Sequence, residues 1–173
     1  DELAQQNVRE LQKTGAKTLI TTCPYCNRVF KEHPAYKQLG LEPKHITQFL
    51  KDFDFNVKTE KRVTYHDPCD LGRHSGIYDE PRDIIRKIAP HFVEPRRTRE
   101  NAMCCGSGGG LRGSFPEDSI EISRNRLSQI IEETGAEILL TECPSCVHNF
   151  RNAKLRKQKI EIYNITEFIA QLL

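Results

Sequence analysis

Residues 12–30, QKTGAKTLITTCPYCNRVF, recur without gaps as residues 132–150, EETGAEILLTECPSCVHNF, with nine of nineteen positions identical. Chance at ordinary residue frequencies supplies about one. The likeness resumes downstream, where Ile46-Thr47-Gln48-Phe49 answers Ile165-Thr166-Glu167-Phe168. This is an internal duplication, and it limits the folds open to the chain. Each copy reads as a Thr-Gly-Ala turn, a β-prone run and a Cys-Pro-x-Cys whose proline suits the first turn of a helix. Strands alternating with helices indicate an α/β fold: duplicated Rossmann-like units, with a mainly parallel sheet and helices on its faces.

Along the chain, residues 2–14 show a helical pattern with Leu3, Val8 and Leu11 inward, ended by Gly15. A strand over 17–22 leads into Cys23-Pro24-Tyr25-Cys26 and a helix to about Lys31. Pro34 and Gly40 break the pattern, and a helix over 44–51 is expected to turn Ile46, Phe49 and Leu50 inward. The polar stretch 51–62 reads as a link in which Phe53, Phe55 and Val57 supply some packing. A strand at 62–65 opens the second unit, followed by a helix holding Ile84, Ile85 and Ile88 and stopped by Pro90. A short strand near 91–93, a helix over 116–134, strands at 137–141 and 160–163, a helix to about Leu155 and another from Asn164 complete it. The expected division is 1–58 and 59–173.

The cysteines carry the chemistry. Cys69 follows His66-Asp67-Pro68; Cys104-Cys105-Gly106 comes after 34 intervening residues; Cys143-Pro144-Ser145-Cys146 comes after 37 more. Seven cysteines, two C-x-x-C pairs and a helix- and strand-rich pattern favour metal or redox thiols in a reducing cytoplasm over a disulfide framework. A C-x-x-C at a strand-to-helix junction aims two sulfurs at one point, which suits tetrahedral zinc, an iron–sulfur cluster or a dithiol couple. Vicinal Cys104 and Cys105 point apart and are awkward ligands for one ion, whereas two irons of one cluster can take them. With Cys69 there are five candidate ligands, one more than a Cys₄ zinc site needs. Zinc remains an alternative, and with it a non-enzymatic reading, a structural zinc- or cluster-bearing module of a multisubunit complex. So does a glutaredoxin-like thiol–disulfide oxidoreductase built on Cys23 and Cys26.

Other classes are excluded by composition. A formal charge of +2, from 26 basic and 24 acidic residues, provides no field for nucleic acid. Mean hydropathy is −0.61 and no apolar run approaches the roughly 20 residues of a membrane-spanning helix. The polar opening Asp1-Glu2-Leu3-Ala4 lacks a signal-peptide plan.

The arrangement Cys69 … Cys104-Cys105-Gly106 … Cys143-x-x-Cys146 resembles the cysteine-rich CCG domain. Such domains occur in the B and D components of heterodisulfide reductase and in iron–sulfur subunits of glycolate, lactate and glycerol-3-phosphate oxidising systems. The likeness covers 62–173 as one copy and 1–50 as the tail of a preceding one. It implies a [4Fe–4S] cluster of non-cubane type on Cys69, Cys104, Cys105, Cys143 and Cys146, with Cys23 and Cys26 as the remaining part of a second site. It also implies electron transfer to a disulfide or other acceptor. Implied partners are iron–sulfur, flavin or membrane cytochrome subunits and a small thiol or disulfide substrate, at a place peripheral to a membrane complex. Where many relatives have His after the first motif cysteine, this chain has Asp70. The second C-x-x-C has its Cys-Cys partner at Cys105, and the first would need one before residue 1. The chain is therefore expected to begin inside its first repeat.

Gly106 and Gly108 are expected to let backbone N–H groups approach the cluster, in place of a dinucleotide loop. His66, His74 and Asp67 are read as loop or helix caps, with hydrogen bonding to a cluster as the second reading for the histidines. His148 is expected at the surface, and Arg96-Arg97-Thr98-Arg99 as a solvated loop. No side chain is singled out as catalytic.

Overall fold

The computed structural model describes residues 2–173. Its elements run in the order α1 (Glu2–Thr14), β1 (Thr18–Thr21), α2 (Pro24–Glu32), α3 (Pro34–Lys37), β2 (Glu42–His45), α4 (Ile46–Leu50) and β3 (Val63–His66). There follow α5 (Asp79–Ile88), α6 (Leu111–Ser114), α7 (Pro116–Thr134), β4 (Ile138–Thr141), α8 (Pro144–Ala153), β5 (Glu161–Tyr163) and α9 (Ile165–Leu172). The α/β class is the one expected.

Every strand pair is parallel. β1 pairs with β2, and β3, β4 and β5 form a second sheet in that order, with Val63 opposite Ile138 and Ile138 opposite Glu161. The duplication is visible in three dimensions: β1–α2–β2–α4 repeats as β4–α8–β5–α9. Even the caps correspond. His45 and Asn164, each just before the matching I-T-x-F run, close capping boxes with Gln48 and Glu167.

The second sheet is covered on both faces. Alternate residues of a strand point to opposite sides. Accordingly Ile138 and Leu140 join Val63, Tyr65, Ile84, Ile85, Ile88 and Phe168 in one core. Leu139 joins Leu127, Ile130, Phe150 and Ile162 in the other. All four residues of β4 are buried, as a strand sandwiched by helices requires. Gly135, in the left-handed region at φ 60°, ends α7 and turns the chain into β4.

Some expectations fail for identifiable reasons. Residue 44 lies in β2 and not in a helix, although Pro43 argues against a strand. β2 is an edge strand, where a missing N–H is tolerated. Pro34 opens a short helix and does not merely end one. The 91–93 strand is reduced to an isolated bridge between Val63 and Phe92. Leu3 is 71% exposed and Phe49 is also exposed. The half-buried face of α1 is Ala4, Asn7, Val8 and Leu11, with the Asn7 amide donating to the Tyr36 hydroxyl at 3.0 Å.

His45 carries a stability consequence. Burial holds its pKa down to about 4, against the usual 6.5, despite a hydrogen bond with the Thr22 backbone. Its unfolded form therefore binds a proton more readily than the folded one. The stabilisation is full above about pH 6.5 and is lost as pH falls through 6.5 toward 4. The expected loss between pH 7.5 and 4.5 is ~2.5 kcal/mol. His45→Asn, copying the cap at 164, removes that part of the dependence when urea midpoints are compared at the two pH values.

Candidate metal centre

The site forms where parallel strands end. His66 closes β3 opposite Thr141, the last residue of β4. Cys69 therefore lies just beyond one strand and Cys143 just beyond its neighbour, at the carboxyl edge where open α/β sheets place their ligands. Cys143 precedes α8, and Cys146 is inside its first turn. The Cys104–Cys105 segment follows a 3-10 turn at Arg99–Asn101 and is gripped from several sides. Asp67 accepts the Arg99 backbone N–H at 2.8 Å. Arg73 donates to the Ala102 carbonyl at 2.9 Å and the Glu100 carbonyl at 3.3 Å. From α8, the Asn149 amide donates to the Cys105 carbonyl at 2.8 Å.

The result is a row of neighbouring sulfurs, Cys69, Cys104, Cys105, Cys146 and Cys143. Cys146 donates to Cys105 at 3.0 Å. Cys105 and Cys69 both donate to Cys104, and Cys143 accepts from Cys146. Accepting from Cys105 and Cys69, and from the Gly106 N–H at 3.3 Å, pulls Cys104 down to about 2. The Cys146 hydrogen bond lowers Cys143 to about 7. The donors move the other way: Cys105 rises to about 12, first through Cys104, and Cys69 and Cys146 rise further. Cys104 and Cys143 are thus the two sulfurs favoured as thiolates, and Cys69, Cys105 and Cys146 the ones that keep their protons.

Cys105 and Cys146 are buried, Cys69 and Cys143 half-buried, and Cys104 is exposed, the one of the five that does not line the cavity beside them. A cavity of about 390 Å³ lies against them, lined by Cys23, Tyr25, Cys69, Asp70, Cys105, Ser107, Gly108, Gly109, Gly110, Cys143, Ser145 and Cys146. Cys23 reaches it because Arg28 of α2 pairs with Asp70 at 3.0 Å. Burial raises the Cys23 thiol to about 11, and Cys143 is among the charges acting on it. Cys26 is exposed, donates its backbone N–H to the Cys23 sulfur at 3.4 Å, and does not line the cavity.

Gly106 serves packing as well as the site. It adopts φ +80°, and a Cβ there would stand 2.6 Å from the Ser119 carbonyl oxygen of α7. Its own carbonyl accepts from the Ser119 hydroxyl at 2.7 Å. Gly106→Ala is expected to cost ~2–4 kcal/mol, read as a fall in the urea midpoint, through left-handed strain and displacement of α7. Gly108 meets nothing and simply borders the cavity.

Two of the residues read as caps, Asp67 and His66, are something else. Asp67 is buried and bonded by both carboxylate oxygens to Arg82, at 2.7 and 2.9 Å. Arg82 is itself fully buried, bonds Glu94 at 3.0 and 2.9 Å, and lies over the Tyr65 ring. His66 is also buried, edge-on to Phe150, with a ring nitrogen within 4.8 Å of the Cys105 and Cys146 sulfurs. Burial, and then the charge of Arg126, push its pKa down to about 3. His148 is exposed as expected, in contact with Arg112 at 2.6 Å. Glu142 escapes sequence reasoning. Burial raises it to about 8, and Oε1 accepts the Ile165 N–H at 2.6 Å. A carboxylate beside a cysteine in a polar-looking T-E-C run carries no sign of burial.

Among the described residues no helix is long and apolar enough to cross a membrane. The profile of the CCG cysteine-rich domain matches residues 1–31 and 63–151. The chain is 38% identical over 183 aligned positions to the D component of the dihydromethanophenazine:CoB–CoM heterodisulfide reductase of Methanosarcina barkeri, covering 99% of this chain and 44% of that protein. It is 32% identical to the probable iron–sulfur-binding oxidoreductase FadF of Bacillus subtilis, covering 98% of the chain and 25% of that protein. It is also 32% identical to the B component of the fumarate reductase (CoM/CoB) of Methanothermobacter marburgensis, covering 98% and 35%. The chain thus spans less than half the length of these relatives. With the matched profile covering the greater part of its residues, the chain belongs to the CCG cysteine-rich domain family.

Proposed function

We propose that this chain is the cluster-bearing part of an iron–sulfur oxidoreductase of the heterodisulfide reductase type. Cys69, Cys104, Cys105, Cys143 and Cys146 are the residues that hold the group, a [4Fe–4S] cluster of non-cubane type. Cys23 and Cys26 are the remainder of a second site in the tail of a first repeat, 1–58, and 59–173 is the complete second one. The observation that carries this reading is the gathering of five cysteines at one edge of the sheet, with Cys69, Cys105, Cys143 and Cys146 lining one cavity and the Cys105 and Cys146 sulfurs 3.0 Å apart. A single zinc takes four ligands and leaves the fifth without a task. Bound there, the group supplies one-electron transfer.

The chain's own residues do the rest. The Gly106 N–H stabilises charge on the Cys104 sulfur, while Gly108, Gly109 and Gly110 keep one stretch of the cavity wall free of side chains. The acceptor we assign to the cavity is a small disulfide, whose cleavage takes two electrons and two protons and gives two thiols. The electrons come from iron–sulfur, flavin or membrane cytochrome subunits of a complex. The test is anaerobic reconstitution with iron and acid-labile sulfide analysis. About four irons with matching sulfide are expected; one zinc and no sulfide would sink the proposal.

A further inference from the structure

Three buried polar atoms behind the thiols have no hydrogen-bond partner: Nδ1 of His66, Nε of Arg126 and Oγ of Ser123. Arg126 is fully buried, and its guanidinium donates only to the Gln129 side chain at 2.9 Å and the Arg97 carbonyl at 2.8 Å. Both acceptors are neutral, and Arg126 makes no ion pair among the described residues. The nearby Asp67 carboxylate is already taken by Arg82 and the Arg99 N–H. A buried cation without a carboxylate is costly unless negative charge stands close by. The charged group that most affects His66 is this same Arg126.

The imidazole therefore has a cation with a spare N–H as one neighbour and the sulfurs of Cys105 and Cys146 as the others. A neutral ring carries one N–H, and a guanidinium can only donate. The nitrogen serving Arg126 must then be the one with the free lone pair. Ser123 precedes Arg126 by one turn on the buried face of α7, so the three orphan atoms also suit one internal water, which typically makes about three bonds.

We propose that His66 is a positioning residue of the thiol site, held by Arg126 as the Nε2–H tautomer so that its single N–H is directed at the Cys105 and Cys146 sulfurs. Nδ1 and the Arg126 Nε, which do not bond each other directly, are bridged by one buried water shared with Ser123. An N–H aimed at cysteine sulfur favours the more electron-rich state of whatever the sulfurs hold, and Arg126 adds a positive charge behind it. The inference rests on the cluster reading for its redox consequence, but the tautomer does not.

Two measurements decide it. In the reduced, metal-free chain labelled with ¹⁵N-histidine, long-range ¹H–¹⁵N correlations are expected to show His66 as Nε2–H, and Arg126→Met to release the ring into a mixture. An Nδ1–H ring, or a tautomer indifferent to Arg126→Met, overturns the proposal without needing any loaded protein. In the reconstituted chain, His66→Phe, whose ring can still pack on Phe150, is expected to keep the parent's iron and sulfide. Its midpoint potential is expected to fall by about tenfold in the one-electron equilibrium, ~59 mV, and Arg126→Lys, which keeps the charge, to move it less. Lost iron would make His66 a ligand, and an unmoved midpoint would deny the contact; either result overturns the proposal. A parent chain that takes up no iron sinks the cluster reading, and the tautomer then decides His66 alone.

Discussion

A Cys105→Ser chain, reconstituted anaerobically, is expected to retain well under half of the parent's iron, while Cys26→Ser retains nearly all of it. Cys105 is buried and occupies the middle of the sulfur chain, in contact with Cys104 on one side and with Cys146, 3.0 Å away, on the other. Serine is smaller and its alcohol is a far weaker acid, so the site loses a soft thiolate where two neighbouring sulfurs depend on it. Cys26 is exposed and outside the cavity lining. Iron and sulfide counts, with circular dichroism to check folding, make the comparison. Equal iron in the two variants would mean that the five-sulfur set is not what holds the metal.

The second large effect concerns stability. Asp67→Asn is expected to destabilise the chain by ~3–5 kcal/mol, because it leaves the buried Arg82 guanidinium short of half its negative partners. For a chain of this size that is a fall of about 10 °C in the thermal midpoint. Removing Lys13 from its exposed pair with Glu10 is expected to leave the midpoint nearly where it is. The Asp67 change should also lower iron retention, since the same carboxylate accepts the Arg99 N–H. Arg99 holds a left-handed backbone at φ 53°, an unfavourable conformation for a residue with a Cβ, and one that needs such support. A loss of stability under about 1 kcal/mol would show that Glu94 alone satisfies Arg82.

The parts of this molecule that can be read from sequence are those governed by repetition and spacing. The matching 12–30 and 132–150 segments lead to strand, cysteine turn and helix in both places, and Ile84, Ile85 and Ile88 at helical intervals lead to a buried face. The thiols are legible because cysteine pairs are rare and their spacings specific. Asp67, Arg82 and Arg126 are not, because a charged residue usually marks solvent, and only the fold brings an arginine 15 positions away to a carboxylate. His66 is hidden by the same habit: two residues before a proline and three before a cysteine it looks like a loop residue, yet it ends a fully buried strand. β2 is masked by Pro43, whose cost vanishes only at a sheet edge.

The wide separation of the paired strands bears on the order of events in the cell. Val63 finds Ile138 across 75 positions, and both strand pairs in this sheet are parallel, with no hairpin to join them. Such non-local closure makes folding slow by comparison with helical proteins of equal size. Until it happens, Cys69 and Cys143 have nothing to bring them side by side. Newly made chain must therefore spend that interval with its thiols dispersed and open to oxidation, and metal delivered before closure would meet isolated C-x-x-C turns. On the proposed cluster reading, loading follows folding, and the time the sheet takes to close is the period for which reducing conditions have to be kept.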